Sequence, residues 1–129
     1  MRLNQVTVTV SDVAAGIAFY RTLGLKLIVE SPHYARFECA EGESTFSIHV
    51  GEPSPMPTTV VYFENHHLDA TVEKLKRSGI KFDSEPTDQR WLWREARLHD
   101  PSGNPICLFH AGENRLNPPW RVSETVGQA

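Results

Sequence analysis

Two stretches of the sequence decide the fold, QVTVTVSD at residues 5–12 and VVYFENHHLD at residues 60–69, because each begins the same unit. In both, a short β-like segment runs into polar residues, and a helical pattern then continues to a glycine, Gly24 or Gly79. The two glycines lead similar segments, GLKL and GIKF, that lie 55 residues apart. A solenoid needs at least three stacked units, so two copies predict instead a pseudo-twofold protein with a functional cleft between its halves.

The first unit predicts the element order βαβββ. Residues 5–10 alternate between polar and apolar side chains, which is typical of a half-buried strand. Ser11 or Asp12 is expected to cap a helix over about residues 13–23. The apolar stripe of that helix is predicted to include Val13, Ile17 and Tyr20. Three further strands are expected near residues 25–30, 34–39 and 45–50.

The second unit repeats this order after an extended, proline-rich linker at residues 51–57. Its helix is predicted over about residues 67–78, with a buried stripe formed by Leu68, Val72 and Leu75. Its strands are expected near residues 59–64, 80–83, 92–99 and 105–110. We therefore interpret residues 1–129 as a single domain, made of module 1 (about 1–50), the linker (51–57), module 2 (about 58–110) and a polar C-terminal tail (111–129).

Composition and charge argue against several classes of partner. The net charge is −3 and no Lys/Arg cluster is present, so a nucleic-acid surface is not expected. The apolar runs are too short to span a membrane bilayer, and no signal peptide is visible before the first strand pattern. The two cysteines, Cys39 and Cys107, match no zinc or CxxC spacing. We interpret them as reduced thiols of a cytoplasmic protein.

Three motifs give the chain a specific resemblance: Ser11-Asp12, FYRTLGL at residues 19–25, and DPSGN at residues 100–104 before the last strand. From residue 3 to about residue 110, the sequence resembles the vicinal-oxygen-chelate superfamily, which includes glyoxalase I, bleomycin-resistance proteins and extradiol dioxygenases. The resemblance implies an α+β fold in which two βαβββ modules form a curved mixed sheet around a concave cavity. It also implies a homodimer and, in many members, a divalent metal held by the first and last strands of each module.

The metal-ligand positions of that superfamily fall on residues that suit its metals poorly. They correspond to Gln5, to Ser47 or His49, to Val60, and to Cys107. Val60 offers no donor atom, and the soft sulfur of Cys107 is unsuited to oxygen-rich Mg²⁺, Mn²⁺ or Ni²⁺ sites. Only Gln5 and His49 are left as candidate metal ligands, whereas a catalytic metal site normally has three protein ligands. A divalent metal is therefore disfavoured, and the cofactor stays unknown.

Strand alternation predicts which side chains enter the concave cavity. Arg97 would be a natural anchor for a carboxylate or phosphate group. An imidazole such as His49 or His99 could act as a general base beside a carboxylate. The predicted ligand-binding residues are Gln5, Thr7, Ser47, His49, Trp93, Arg97, His99 and Cys107.

Several residues of this face also have a structural interpretation. Glu95 and Arg97 could pair with Arg36 and Glu38 across the sheet. Trp93 could line a pocket for a planar ligand or pack in a dimer interface. A free cysteine such as Cys107 usually behaves as a small buried hydrophobe, and it becomes a nucleophile only if its pKa is lowered beside a base.

Two functional hypotheses follow. The first is a small-molecule-binding protein of the superfamily that works without the usual metal site. The alternative is a metal-dependent lyase or isomerase, or a dioxygenase-like enzyme, with an atypical ligand set. Because one fold hosts many chemistries, the resemblance alone does not decide whether the chain is an enzyme.

Overall fold

The structure is a computed structural model and describes residues 1–123. The last part of the predicted tail, residues 124–129, lies outside the described residues. The helices and strands in the described part are β1 (Gln5–Val10), α1 (Val13–Thr22), β2 (Lys26–Glu30), β3 (Tyr34–Glu38), β4 (Thr45–Val50), β5 (Val61–Glu64), α2 (Leu68–Arg77), β6 (Thr87–Asp88), β7 (Arg94–His99) and β8 (Pro105–His110). A short 3₁₀ turn, Gly112–Asn114, follows β8.

Each module folds into a four-stranded mixed sheet. The strand order is β1-β4-β3-β2 in the first sheet and β5-β8-β7-β6 in the second. In both sheets the first strand pairs in parallel with the last, and the remaining neighbours are antiparallel. The predicted α+β fold of two βαβββ modules is confirmed.

The start and end of α1 follow from local chemistry. Asp12 is the N-cap, since its Oδ1 accepts a hydrogen bond from the Ala15 N–H at 3.0 Å. After the helix, Gly24 has a φ of +106°, a left-handed conformation that glycine adopts without steric cost. Gly79 has a φ of +92° and ends α2 in the same way.

The prediction of a strand at residues 80–83 is wrong. The N–H of Ile80 donates to the Leu75 carbonyl at 3.0 Å and so closes the end of α2 rather than joining a sheet. Ile80 and Phe82 pack against the core. The segment reaches the sheet at its end, where the N–H of Asp83 donates to the Arg97 carbonyl at 2.7 Å, and it forms no strand. The edge of the second sheet is formed instead by the two-residue strand β6, which pairs with β7.

The two modules share one hydrophobic core on the helix side of their sheets. Buried residues of module 1, such as Tyr20 and Phe37, belong to the same cluster as Val72 and Leu98 of module 2. The rings of Phe46 and Phe63 meet across the junction, with centroids 5.5 Å apart. The chain is therefore one packed unit, although its hydrogen-bonded sheets are separate.

A buried hydrogen bond ties module 1 to the DPSGN turn of module 2. The Tyr20 hydroxyl donates to Asp100 Oδ2 at 2.7 Å, and both residues are buried. Burial, together with the adjacent Asp100, holds the pKa of Tyr20 well above its usual value, so the phenol stays a donor. Asn104 of the same turn donates to the Thr9 carbonyl at 2.8 Å. The turn thus fastens both α1 and β1 to the second sheet.

The substitution Tyr20→Phe tests this tie. It keeps the ring in the core but leaves the buried Asp100 with one donor fewer, so we expect the free energy of unfolding to fall by about 1.5–3 kcal/mol. Urea denaturation provides the measurement. Tyr62→Phe is the matched control, because the Tyr62 side chain is exposed and its hydroxyl makes only a 3.3 Å contact with Arg97. Equal stabilities of the two variants would contradict the proposed tie.

Candidate functional site

A cavity of about 970 Å³ lies at the junction of the two modules. Module 1 contributes the end of α1 with the residues that follow it, and the turn between β3 and β4. Module 2 contributes β5, the start of α2 and parts of the second sheet. Its lining includes Leu3, Leu23, Leu25, Cys39, Glu41, Ser44, Tyr62, Glu64, Asn65, His66, Trp93, Phe109 and Arg115.

Three aromatic side chains form one wall of this cavity. Trp93 stacks on Phe109 with ring centroids 4.5 Å apart and an interplanar angle of 16°. Tyr62 meets both rings edge-on, at 5.9 Å and 5.8 Å. They project from β5, from β8 and from the residue before β7, on the sheet face opposite the helices. Tyr62 is 44% exposed, so the wall offers aromatic surface to a ligand.

Beside this wall, Glu95 and Arg97 form a partly buried ion pair within one strand. Arg97 Nη2 donates to Glu95 Oε1 at 2.9 Å, and the Trp91 indole N–H donates to Glu95 Oε2 at 2.7 Å. The Glu95 side chain is only 4% exposed, so both carboxylate oxygens are satisfied inside the protein. The interpretation that Glu95 and Arg97 pair with Arg36 and Glu38 is therefore wrong.

Cys107 lies beneath these side chains and has no solvent exposure. It packs in a small cluster with Phe109 and Ala111, against which Val60 and Trp93 also pack. Burial raises the pKa of the Cys107 thiol to about 12, so the thiol is protonated at neutral pH. A protonated, covered thiol is neither an activated nucleophile nor a ready metal ligand.

On the first sheet, the predicted site residues form a hydrogen-bonded polar face. The hydroxyls of Thr7 and Ser47 lie 2.6 Å apart, and Ser47 is fully buried. The amide oxygen of Gln5 accepts a hydrogen bond from the Thr45 hydroxyl at 2.7 Å. His49 lies near the end of β4, the strand that also carries Ser47, and is exposed.

These environments do not fit the divalent metal of the superfamily. The Gln5 oxygen and the Ser47 hydroxyl are engaged with neighbours, Val60 is apolar, and Cys107 is a covered thiol. Within residues 1–123, no three His, Cys, Asp or Glu side chains are grouped so as to hold a metal ion.

Of the predicted ligand-binding residues, only Trp93 lines the cavity. Thr7, Ser47 and His49 lie on the first sheet, away from its lining, and Cys107 is buried below the aromatic wall. His99 pairs instead with Asp83, with 2.5 Å between Nδ1 and Oδ2, and both side chains are about half exposed.

Sequence reasoning missed Tyr62 and Phe109 as parts of the wall. Tyr62 stands at the position in module 2 that corresponds to Thr7 in the repeat, and Phe109 lies two residues after Cys107. Alternation along β5 and β8 would have placed both on the concave face.

Replacing Arg97 tests whether the ion pair is needed to bury Glu95. Arg97→Met removes the charged partner of the buried Glu95 carboxylate and leaves it with neutral donors such as the Trp91 indole. We expect a loss of about 1–2 kcal/mol in the free energy of unfolding, since the Arg97 side chain is 38% exposed and solvent screens part of the attraction. The double variant Glu95→Gln/Arg97→Met should recover part of this loss in a urea-denaturation cycle. Strictly additive effects of the single changes would show that the pair is not coupled.

Arg94→Met serves as the matched arginine control for that cycle. Arg94 pairs with Asp69 and Asp88 at the surface, where both partners remain hydrated when the arginine is removed. A smaller loss than in Arg97→Met is expected.

Comparison with known proteins agrees with this architecture. Residues 2–108 match the model of the Glyoxalase/Bleomycin resistance protein/Dioxygenase superfamily. No curated protein matches the chain significantly. Among residues 1–123, neither helix has the length and hydropathy needed to cross a membrane.

Solved structures show the same fold at low sequence identity. A glyoxalase/bleomycin resistance protein/dioxygenase from Nocardioides is 22% identical, with a TM-score of 0.73, and the match covers 98% of this chain and 90% of that one. A family enzyme from Burkholderia phytofirmans PsJN is 20% identical, with a TM-score of 0.73 and coverage of 86% and 99%. A protein of unknown function from Agrobacterium tumefaciens str. C58 is 25% identical, with a TM-score of 0.69 and coverage of 85% and 94%. The chain therefore belongs to the glyoxalase/bleomycin resistance protein/dioxygenase superfamily.

Proposed function

We propose that this chain binds a small, planar and largely apolar molecule without the aid of a divalent metal. The observation that carries the proposal is the aromatic wall of Tyr62, Trp93 and Phe109, which borders a cavity of about 970 Å³. Ligand pockets in proteins typically have volumes of several hundred Å³, apolar or aromatic walls and a few polar groups. The cavity has this character.

In this proposal, the aromatic wall contacts the ring of the ligand and the rim of the cavity orients the ligand. A planar ligand can stack on, or meet edge-on, the exposed surface of Tyr62 and its neighbour Trp93. The rim supplies polar groups that can orient the ligand, including Ser44, Asn65 and His66. Glu64 is already held by the N–H groups of Ala111 and Gly112, at 2.8 Å and 3.0 Å, and so forms a fixed edge of the site.

An enzymatic function is the second candidate, and one observation favours it. Asp83 contacts His99 at 2.5 Å, which would orient the imidazole and leave its Nε2 for proton transfer. His99 lies outside the cavity lining and is half exposed, whereas general bases usually act in enclosed sites. We therefore place ligand binding first and catalysis second.

Homodimer formation and a cytoplasmic location are also part of the proposal. The strands β2 and β6 are sheet edges within the chain, and such edges are commonly covered by a partner. The family resemblance supports the same assembly.

Binding of N-phenyl-1-naphthylamine, a neutral fluorescent aromatic probe, tests the proposed function. We expect saturable binding to the wild-type chain in the presence of EDTA. Trp93→Leu should weaken the probe's affinity about three- to tenfold, because an aromatic contact contributes about 0.5–1.5 kcal/mol. A thermal melt of each variant should show that the protein is folded at the temperature of the titration.

Trp120→Leu is the matched control, because Trp120 is exposed and lies outside the cavity lining. The affinity of the Trp120→Leu variant for the probe should equal that of the wild type. The proposal would be contradicted if EDTA abolished binding, or if both tryptophan variants bound the probe as tightly as the wild type.

A further inference from the structure

One carboxylate lies on the same strand face as the aromatic wall and lines the same cavity. Glu64 follows Tyr62 by two residues in β5, so both side chains project from one face of the strand, about 7 Å apart along it. In the register between β5 and β8, Glu64 is also the partner of Phe109. All three residues line the cavity. An aromatic ring that rests on the wall therefore brings its substituents within reach of this carboxylate.

The Glu64 carboxylate is fixed through one oxygen and open at the other. Its Oε2 accepts hydrogen bonds from the N–H groups of Ala111 and Gly112, at 2.8 Å and 3.0 Å. Within residues 1–123, no hydrogen bond is made to Oε1, and Arg115 Nε lies 4.0 Å from it, beyond hydrogen-bond distance. Because the Glu64 side chain lines the cavity, Oε1 is a positioned acceptor that a ligand can use.

Glu64 also keeps its negative charge at neutral pH. Burial opposes ionisation, but the hydrogen bonds from Ala111 and Gly112, with His110 and Arg115 nearby, hold the pKa of Glu64 below its usual value. Arg115 offsets this charge only in part, because its side chain is 49% exposed and solvent screens an attraction across 4.0 Å. A cation bound between the wall and Oε1 would therefore meet an ionised carboxylate.

The groups around the cavity favour a cationic ligand over an anionic one. Apart from its two histidines, the lining within the described residues carries two carboxylates, Glu41 and Glu64, and one guanidinium, Arg115. The faces of tyrosine and tryptophan rings attract cations as well. The chain itself places a cation against this wall, since the guanidinium carbon of Arg97 lies 5.5 Å from the centre of the Tyr62 ring. Carboxylate charge and aromatic surface thus act in the same direction.

We propose that Glu64 is a ligand-binding residue and that the natural ligand is a planar aromatic molecule carrying an ammonium or comparable basic nitrogen group. The ring of the ligand contacts the aromatic wall, and its nitrogen donates a charge-assisted hydrogen bond to Oε1 of Glu64. This inference rests on the proposed function, because the ring occupies the same cavity.

Calorimetric titration with three naphthalene probes of similar size, 1-naphthylmethylamine, 1-naphthylmethanol and 1-naphthoate, tests the inference. At pH 7 these probes carry a positive charge, no charge and a negative charge, and each titration uses the full chain with EDTA. We expect the wild type to bind the amine about five- to tenfold more tightly than the alcohol, because hydrogen bonds between charged groups are stronger than neutral ones. Naphthoate should bind no more tightly than the alcohol.

Two substitutions assign this preference to Glu64. Glu64→Gln keeps an oxygen that can accept hydrogen bonds from the backbone but removes the charge, so it should abolish the preference for the amine and leave the affinity for the alcohol unchanged. Arg115→Met removes the competing cation and should strengthen amine binding about two- to threefold. Glu52→Gln is the control for net charge, because Glu52 is exposed in the linker and lies outside the cavity lining, and it should behave as the wild type.

The outcomes separate this inference from the proposed function. If the alcohol fails to bind the wild type, the proposed function fails and this inference fails with it. If the alcohol binds but the amine binds no more tightly, the role of Glu64 alone is overturned. Equal losses for both probes in Glu64→Gln would overturn it as well, and so would tighter binding of naphthoate than of the alcohol, or weaker amine binding in Arg115→Met.

Discussion

The hydrogen bond between the Tyr20 hydroxyl and Asp100 is the interaction on which the arrangement of the two modules depends. It joins the middle of the shared core to the turn that precedes β8, at a point where both groups are buried. The two sheets share no hydrogen-bonded strand pair in the described residues, so their relative placement relies on this bond, on the contact of Asn104 with β1, and on the common core. The cavity lies at the junction of the modules that these contacts hold together.

Much of the fold could be predicted because its determinants are local. The cap at Asp12, the glycine after each helix and the apolar stripe of α2 all act within a few residues. The segment 80–83 shows the limit of such reasoning. Its alternation is the same as that of a strand, but β7 pairs with the two-residue strand β6 instead, and this choice of partner depends on the tertiary structure.

The site was harder to predict because it combines residues from distant parts of the chain. Trp93 could be nominated from its position before a strand, but its stacking on Phe109 depends on the register between β7 and β8. The pairing of Glu95 with Arg97 and Trp91 was missed for a related reason, since strand alternation predicts the face of a side chain but not its partner.

The central claim is that a protein of this superfamily binds its ligand on an aromatic wall where the resemblance implies a metal ion. Native mass spectrometry of the full chain tests it most directly, with N-phenyl-1-naphthylamine added before and after removal of metals and in the presence of Mn²⁺ or Ni²⁺. The account predicts one probe molecule per chain in every sample and no metal that accompanies it. A probe complex that forms only together with a divalent ion would contradict the account.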